Sequence, residues 1–576
     1  MNSLINNIKG IGASPGIAIG KAMLFKKVQH SITGIRLIST EEIKNEIQKF
    51  EKAVKNSVDE VETIKKSLSV NSISTDILEV QTELLQDAQI ATDVIEKITS
   101  QYKNANDAVI EVIEASVELI KNLNEDYLSA RSADLQDVGD RLLKHLNDAV
   151  LSDKQIPVEN TIIVADDIAP SETITMDVKK ISGFVTKMGG KTSHAAIVAK
   201  SKGIPAVVGC GFELDSIKTN DIIIIDGAEG RVIVNPTADV LNRYTGKKND
   251  FLKQTALLND LKNVKAITTD GVEITLLANI SNAADMEASF ASGSEGCGLL
   301  RTELLFMNRT SFPDEEEQFE FYKETASKAK GKPVIVRTLD IGGDKQLPYF
   351  NFPGEQNPFL GYRAIRICLD RKDIFKTQLA AILRASVFGD LKIMLPMISN
   401  ILEVRKAKAV LKEVKDELAA GQIKFNADIR LGIMIEIPSA AVTADLLAKE
   451  VDFFSIGTND LCQYTLAVDR LNEQVKHLYE PFNPGVLRLI QNVIEQGSKY
   501  NIHTGMCGEL AGDVSATLLL LGMGLREFSM SASSIPHVKT LIINTSITKA
   551  KEIRQHVMTL DNAEAIIHYL QECNKQ

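Results

Sequence analysis

Gly189-Gly190-Lys191-Thr192-Ser193-His194-Ala195-Ala196-Ile197-Val198-Ala199-Lys200 joins a turn of small and polar residues to an apolar, helix-like run. The two glycines let the backbone approach a ligand closely. His194 falls where the helix should begin, among backbone N–H groups that lack partners of their own. Those groups and the helix dipole favour an anion such as a phosphoryl group. Taken alone, a histidine at this place can equally be a capping or packing residue. β-Prone runs flank the stretch, Gly183 to Thr186 before it and Ala206 to Gly209 after it. With Thr161 to Ala165 and Asp221 to Asp226 they predict a small α/β core over residues 157–235, with Val232 to Val234 as an edge. Gly10, Gly12, Pro15, Gly16 and Gly20 lie among β-prone residues near the start. That segment reads as a short strand pair, too small for its own core, which should join the later sheet.

Residues 41–150 differ in character: they hold no proline and a single glycine, Gly139. Apolar residues recur at helical spacing in four series: Ile43 to Leu68, Ile77 to Ile98, Val109 to Leu123 and Leu135 to Leu146. An all-helical block inserted into the α/β domain is expected. It carries 12 basic and 23 acidic residues, a net charge of −11 that equals that of the whole chain. The excess acid is therefore concentrated here, either as a solvated face or as a docking surface for a basic protein. Residues 236–262 read as a helical connector.

The acidic balance disfavours nucleic acid as a general partner. No apolar run approaches the roughly 18 residues that span a membrane. Met1 to Gly20 lacks the pattern of an export signal. Six scattered cysteines without CxxC spacing argue against a zinc site or a disulfide framework. A reducing cytoplasm is the expected compartment.

From residue 271 onward, eight short apolar runs alternate with helical stretches: Ile274–Ala278, Gly298–Leu300, Val334–Val336, Ile393–Leu395, Gly432–Ile435, Phe453–Ile456, Ile502–Met506 and Phe528–Met530. Most end in polar residues, among them Arg301, Glu303, Arg337, Asp340, Glu436, Asn459, Asp460, Cys507 and Glu509. This pattern predicts a (β/α)8 barrel whose site lies at the C-terminal ends of its strands. Arg301, Arg337 and Arg470, placed at strand ends, offer planar forks suited to phosphate and carboxylate oxygens, and Arg363 adds another. Glu436 and Asp460, at the ends of consecutive strands, form with substrate oxygens a normal Mg²⁺ environment. Cys507, beside glycines, is either a buried small hydrophobe or an acid or base.

Several long motifs carry a resemblance: Arg301 to Met307, Arg337 to Lys345, Phe454 to Leu461, Gly505 to Asp513, and the His194 string, which looks like the phosphohistidine signature of phosphoenolpyruvate-utilising enzymes. The chain resembles, essentially end to end, the enzyme I family of the bacterial sugar phosphotransferase system. The resemblance implies a phosphohistidine swivelling domain (1–30 plus 150–235), a helical insert that binds the phosphocarrier protein HPr (31–149), a linker (236–262), and a TIM barrel (263–576) that binds phosphoenolpyruvate and dimerises. It implies that His194 takes the phosphoryl group from phosphoenolpyruvate, releasing pyruvate, and passes it to HPr. Thr173, in Ala169-Pro170-Ser171-Glu172-Thr173, would orient His194. Arg301, Arg337, Arg470, Asn459 and Asp460 would bind phosphoenolpyruvate, Glu436 and Asp460 would hold Mg²⁺, and Cys507 would protonate the enolate. Phosphoenolpyruvate synthase and pyruvate phosphate dikinase share the histidine and barrel domains. They need a sizeable ATP-binding domain ahead of the histidine, where this chain has mainly the helical block. A non-catalytic scaffold that binds partners through that block is the alternative of a different class.

Overall fold

The computed structural model describes residues 6–25, 32–37, 39–67, 73–121, 126–147, 160–168, 180–190, 193–307, 309–343, 345, 347–472 and 474–574. The chain forms two compact units, Met1–Gln254 and Thr255–Gln576.

Among the described residues the first unit holds an eight-stranded sheet. Its strands are β1 (Asn6–Lys9), β2 (Ile11–Ser14), β3 (Ile17–Phe25), β4 (Thr161–Ala165), β5 (Ile181–Thr186), β6 (Ala206–Val208), β7 (Ile222–Asp226) and β8 (Arg231–Val234). Their order is β1-β8-β7-β3-β4-β5-β6-β2. The central strands are buried along nearly their whole length, which is why they read as unbroken apolar runs rather than alternating ones. The N-terminal segment does join the later sheet, but not as a strand pair. β1 pairs antiparallel with β8 and β2 with β6, on opposite edges of the sheet. β8 is therefore an inner strand, not the expected edge. Two strands one residue apart cannot turn back on each other, and the exposed backbone edges of β6 and β8 offer them partners instead.

Among the described residues five helices lie between β3 and β4: α1 (Thr40–Ser67), α2 (Ile73–Leu85), α3 (Ala88–Ser100), α4 (Ala105–Lys121) and α5 (Asp126–Leu146). The apolar series from Ile77 to Ile98 is broken into α2 and α3. Asp87 breaks it, because its carboxylate accepts from the N–H groups of Gln89 (2.7 Å) and Ile90 (3.2 Å) and starts a new helix. Val61, Leu78, Val94, Ile98, Val109 and Val138 are fully buried in the bundle core. Glu60 ties α1 to α5 through Arg141 (3.3 Å), Lys144 (2.9 Å) and His145 (2.8 Å). Among the described residues this region also holds the helices α6 (His194–Lys202) and α7 (Ala238–Asp260).

The second unit is a closed barrel of eight parallel strands. They are β9 (Thr275–Ile280), β10 (Cys297–Leu300), β11 (Val334–Arg337), β12 (Leu391–Leu395), β13 (Leu431–Ile435), β14 (Phe453–Ile456), β15 (His503–Met506) and β16 (Glu527–Met530), each within two residues of the predicted run. β16 pairs with β9 to close the ring, Glu527 opposite Thr275 and Met530 opposite Ala278. Leu299, Ile335, Met394, Met434, Phe453 and Cys507 pack together inside, so the barrel is filled and not a pore. The larger apolar core lies between strands and surrounding helices.

Candidate active site

Parallel strands all end at one face, so residues just beyond them converge there. Arg337 is the last residue of β11 and is buried. Its Nη2 donates to Glu303 Oε1, and its Nη1 lies 3.2 Å from Asp340 Oδ2. Asp340, 1% exposed, also accepts from Arg363 Nε and Lys345 Nζ, each at 3.2 Å. Burial alone would raise its pKa, but Arg337, Arg363 and Lys345 hold it well below the usual carboxylate range. Arg363 reaches on to Asp460 Oδ2 (3.1 Å) and to the Tyr464 hydroxyl (3.0 Å). The result is one buried ion-pair network running from β10 to the helix Thr458–Leu466.

Glu436 follows β13 and is 2% exposed. Its Oε1 accepts from the backbone N–H of Met397 at 2.6 Å. Met397 sits at φ +57°, a left-handed conformation that is costly for a side-chain-bearing residue and aims this N–H at the carboxylate. Burial, then Asp460 and Asp340, push Glu436 up to about 8. Asp460 Oδ1 is buried and accepts no hydrogen bond. Two neighbouring carboxylates, one with an unused oxygen, fit a divalent cation. Among the described residues no three His, Cys, Asp or Glu side chains form a metal cluster. Arg337 Nε and Arg470 Nη1 are likewise buried donors without an acceptor. These unused atoms suit the oxygens of an anionic ligand.

Cys507 follows β15 and is 3% exposed. Burial pushes its thiol up to about 11, against a downward pull from the Ser455 hydroxyl and Arg337. At neutral pH it carries its proton, as an acid must. The Asn459 amide donates to Glu509 Oε1 (3.1 Å) and accepts from the Glu509 N–H (2.9 Å), which fixes it against the Cys507 turn. Arg301, just past β10, is exposed, with its N–H bonded to Ile280 O at 2.9 Å.

The barrel mouth thus gathers Arg337, Arg363, Glu436, Asn459, Asp460 and Cys507. Arg470 departs from the expected strand end. It lies beyond the helix Thr458–Leu466, its Nη2 4.0 Å from Asp460 Oδ1. A helix intervenes between strand and arginine, and spacing along the sequence did not expose that. Thr173 lies outside the described residues. His194 begins α6, and the preceding Ser193 caps it, its Oγ accepting from the Ala196 N–H at 3.4 Å. Sequence reasoning gave no role to Lys345, Tyr464 and Met397. Tyr464 was findable, since it stands four residues after Asp460 on one helix face. Met397 carried no signal, because its contribution is a backbone N–H.

Family models of phosphoenolpyruvate-utilising enzymes match the chain in three places: the N-terminal domain at residues 9–131, the mobile domain at 156–230, and the phosphoenolpyruvate-binding domain at 255–547. That defines the class. A phosphoenolpyruvate-protein phosphotransferase of Listeria innocua is 44% identical over 571 residues, covering 99% of each chain. One from Bacillus subtilis is 43% identical, covering 99% of this chain and 100% of its own length. A solved NMR structure of Enzyme I (nEIt) is 38% identical, with a TM-score of 0.36, and covers 42% of this chain and 99% of its own. By its full-length relatives, the chain belongs to the family of the phosphoenolpyruvate-protein phosphotransferases.

Proposed function

We propose that the chain transfers the phosphoryl group of phosphoenolpyruvate to Nε2 of His194, releasing pyruvate, and then to a histidine of HPr. The observation that carries this is the barrel mouth, where arginine forks, two carboxylates and a buried thiol converge in a chain that belongs to this family. Arg301, Arg337, Arg363 and Arg470 would hold the phosphate and carboxylate oxygens of the substrate, with Asn459 and Asp460 beside them. Glu436 and Asp460 would hold Mg²⁺, which supplies neutralisation of substrate charge when bound.

A neutral His194 imidazole attacks phosphorus, the bond from phosphorus to the C2 oxygen breaks, and the enolate of pyruvate leaves. Phosphoryl transfer of this kind depends on positioning and charge stabilisation more than on covalent help. Cys507 Sγ–H then gives its proton to C3; the enolate oxygen becomes the ketone, and the thiolate is reprotonated from water. Thr173 would orient the imidazole through its other nitrogen. The phosphohistidine domain comprises residues 1–30 and 150–235, the HPr-binding insert 31–149, the linker 236–262 and the barrel domain 263–576. The barrel domain makes a homodimer, and the protein works in the cytoplasm. Among the described residues no helix is long and apolar enough to cross a membrane.

The test is incubation with ³²P-labelled phosphoenolpyruvate and Mg²⁺ in the absence of ATP, with and without HPr. Acid-labile, base-stable label should appear on the wild type, chase onto HPr, and be absent from His194→Ala or after chelation of the metal. Labelling that required a nucleotide would move the reading to the dikinase branch, and an active His194→Ala would move it to a scaffold.

A further inference from the structure

Three neighbouring strands carry a polar rung that the proposed reaction has not used. In the barrel β16 lies between β15 and β9, so Cys507, just past the end of β15, and Asn279, on β9, belong to strands that are not neighbours. Asn279, next to last in β9, nevertheless reaches across β16 and donates from Nδ2 to the backbone carbonyl of Cys507 at 3.0 Å. On the strand between them Ser529 is 2% exposed, and its hydroxyl donates to Asn279 Oδ1 at 2.6 Å. That bond fixes which way the amide faces, oxygen toward Ser529 and nitrogen toward Cys507. Small residues make room for the rung. On β10, a Cβ at Gly298 would come within 2.4 Å of Ser529 Oγ.

The other side of Cys507 is pinned too. Its N–H donates to Ile456 O at 3.1 Å, and the next N–H, of Gly508, donates to the same oxygen at 3.2 Å. With both the N–H and the C=O of residue 507 held, φ and ψ are fixed and so is the direction of the Cα–Cβ bond. One torsion, χ1, then decides where the sulfur points. The apolar neighbours that pack with Cys507 inside the barrel, Leu299, Ile335, Met394, Met434 and Phe453, offer the Asn279 amide no hydrogen bond, so apolar packing alone does not account for a polar residue here.

We infer that Asn279, oriented by Ser529, is a positioning residue that aims the Cys507 thiol at one face of the enolate carbon. This rests on the reading of Cys507 as the proton donor. Proton transfer to carbon depends on approach from a defined side, and a displacement of about 1 Å at a reacting group costs on the order of 100-fold in rate. An enolate released to water is protonated on either face.

The experiment uses the full chain with phosphoenolpyruvate deuterated at one C3 position, turned over in tritiated water with HPr as acceptor. The handedness of the methyl group in the pyruvate is read together with kcat and KM. Asn279→Asp keeps the acceptor for Ser529 but sets a carboxylate oxygen against the Cys507 carbonyl. It should lower kcat for pyruvate about 10- to 100-fold, leave KM within about twofold, and scramble the methyl group. Ser529→Ala, which leaves the amide in place but unoriented, should show the same pattern more weakly, and it carries the test if Asn279→Asp does not fold. Wild-type methyl handedness in both variants, or a loss confined to KM, would overturn the inference. Cys507→Ala is run alongside. If that variant alone keeps wild-type handedness, the assignment of Cys507 as donor has failed, which is a separate result.

Discussion

Replacing Lys539 by methionine tests how the chain is anchored where it enters the barrel unit. Lys539, in the helix Ile535–Ile543, is 2% exposed. Its ammonium donates to Val264 O (2.8 Å) and Leu261 O (3.2 Å), and to Lys262 O and Gly293 O (3.4 Å each). Burial lowers its pKa, with Glu295 partly restoring it. Methionine keeps the apolar stem, and a swap of this size costs less than about 1.5 kcal/mol in packing. The lost bonds are charge-assisted, worth about 1.5–3 kcal/mol each, and three protons allow at most three good ones at a time. Against this, the variant no longer desolvates an ammonium, a cost of several kcal/mol. Leu261 O also keeps a second donor, the Val264 N–H at 3.0 Å. The net expectation is a local destabilisation of about 2–4 kcal/mol, felt by the segments around residues 261–264 and 293. Hydrogen exchange of the full chain, followed by mass spectrometry, should show protection there falling about 30- to 1000-fold, since each 1.4 kcal/mol is tenfold. Unchanged protection, or a variant more stable than the wild type, would refute the reasoning by showing that desolvation outweighs the four contacts.

Acid should loosen the helical bundle at Glu60. Burial opposes its charge, but Lys144, His145 and Arg141 together bring its pKa to about 2. A depressed carboxylate gives its full stabilisation above the unfolded value near 4.5 and loses it as pH falls toward 2. After discounting for partial exposure this is worth about 2–3 kcal/mol, and Glu60→Gln should flatten the pH dependence of urea unfolding in that window. Parallel curves for variant and wild type would count against it. Gly508→Ala should disturb the Cys507 turn, because a Cβ there meets Thr458 Oγ1 at 2.0 Å and its nitrogen at 2.3 Å. A cost of about 1–3 kcal/mol is expected, with at least a tenfold loss of pyruvate formation, and a variant with wild-type melting and rate would contradict it.

Much of the barrel was legible in the sequence. A strand buried on both faces must be apolar along its length and end where the chain meets solvent, so position and function share one local signal. The same holds for the start of α6 at His194, which Ser193 and the flanking glycines mark within a few residues. Where an element needed a distant partner, the sequence was silent. β1 and β2 went to opposite edges because pairing is decided by which strands leave an edge free. Arg337, Asp340, Arg363 and Asp460 form one network, and Asn279 grips a carbonyl 228 residues away. Periodicity and capping act over three or four residues and can be read along the chain. Ion pairs and side-chain bonds between strands depend on which ends the closed sheet brings together, and only the tertiary structure of this chain decided that.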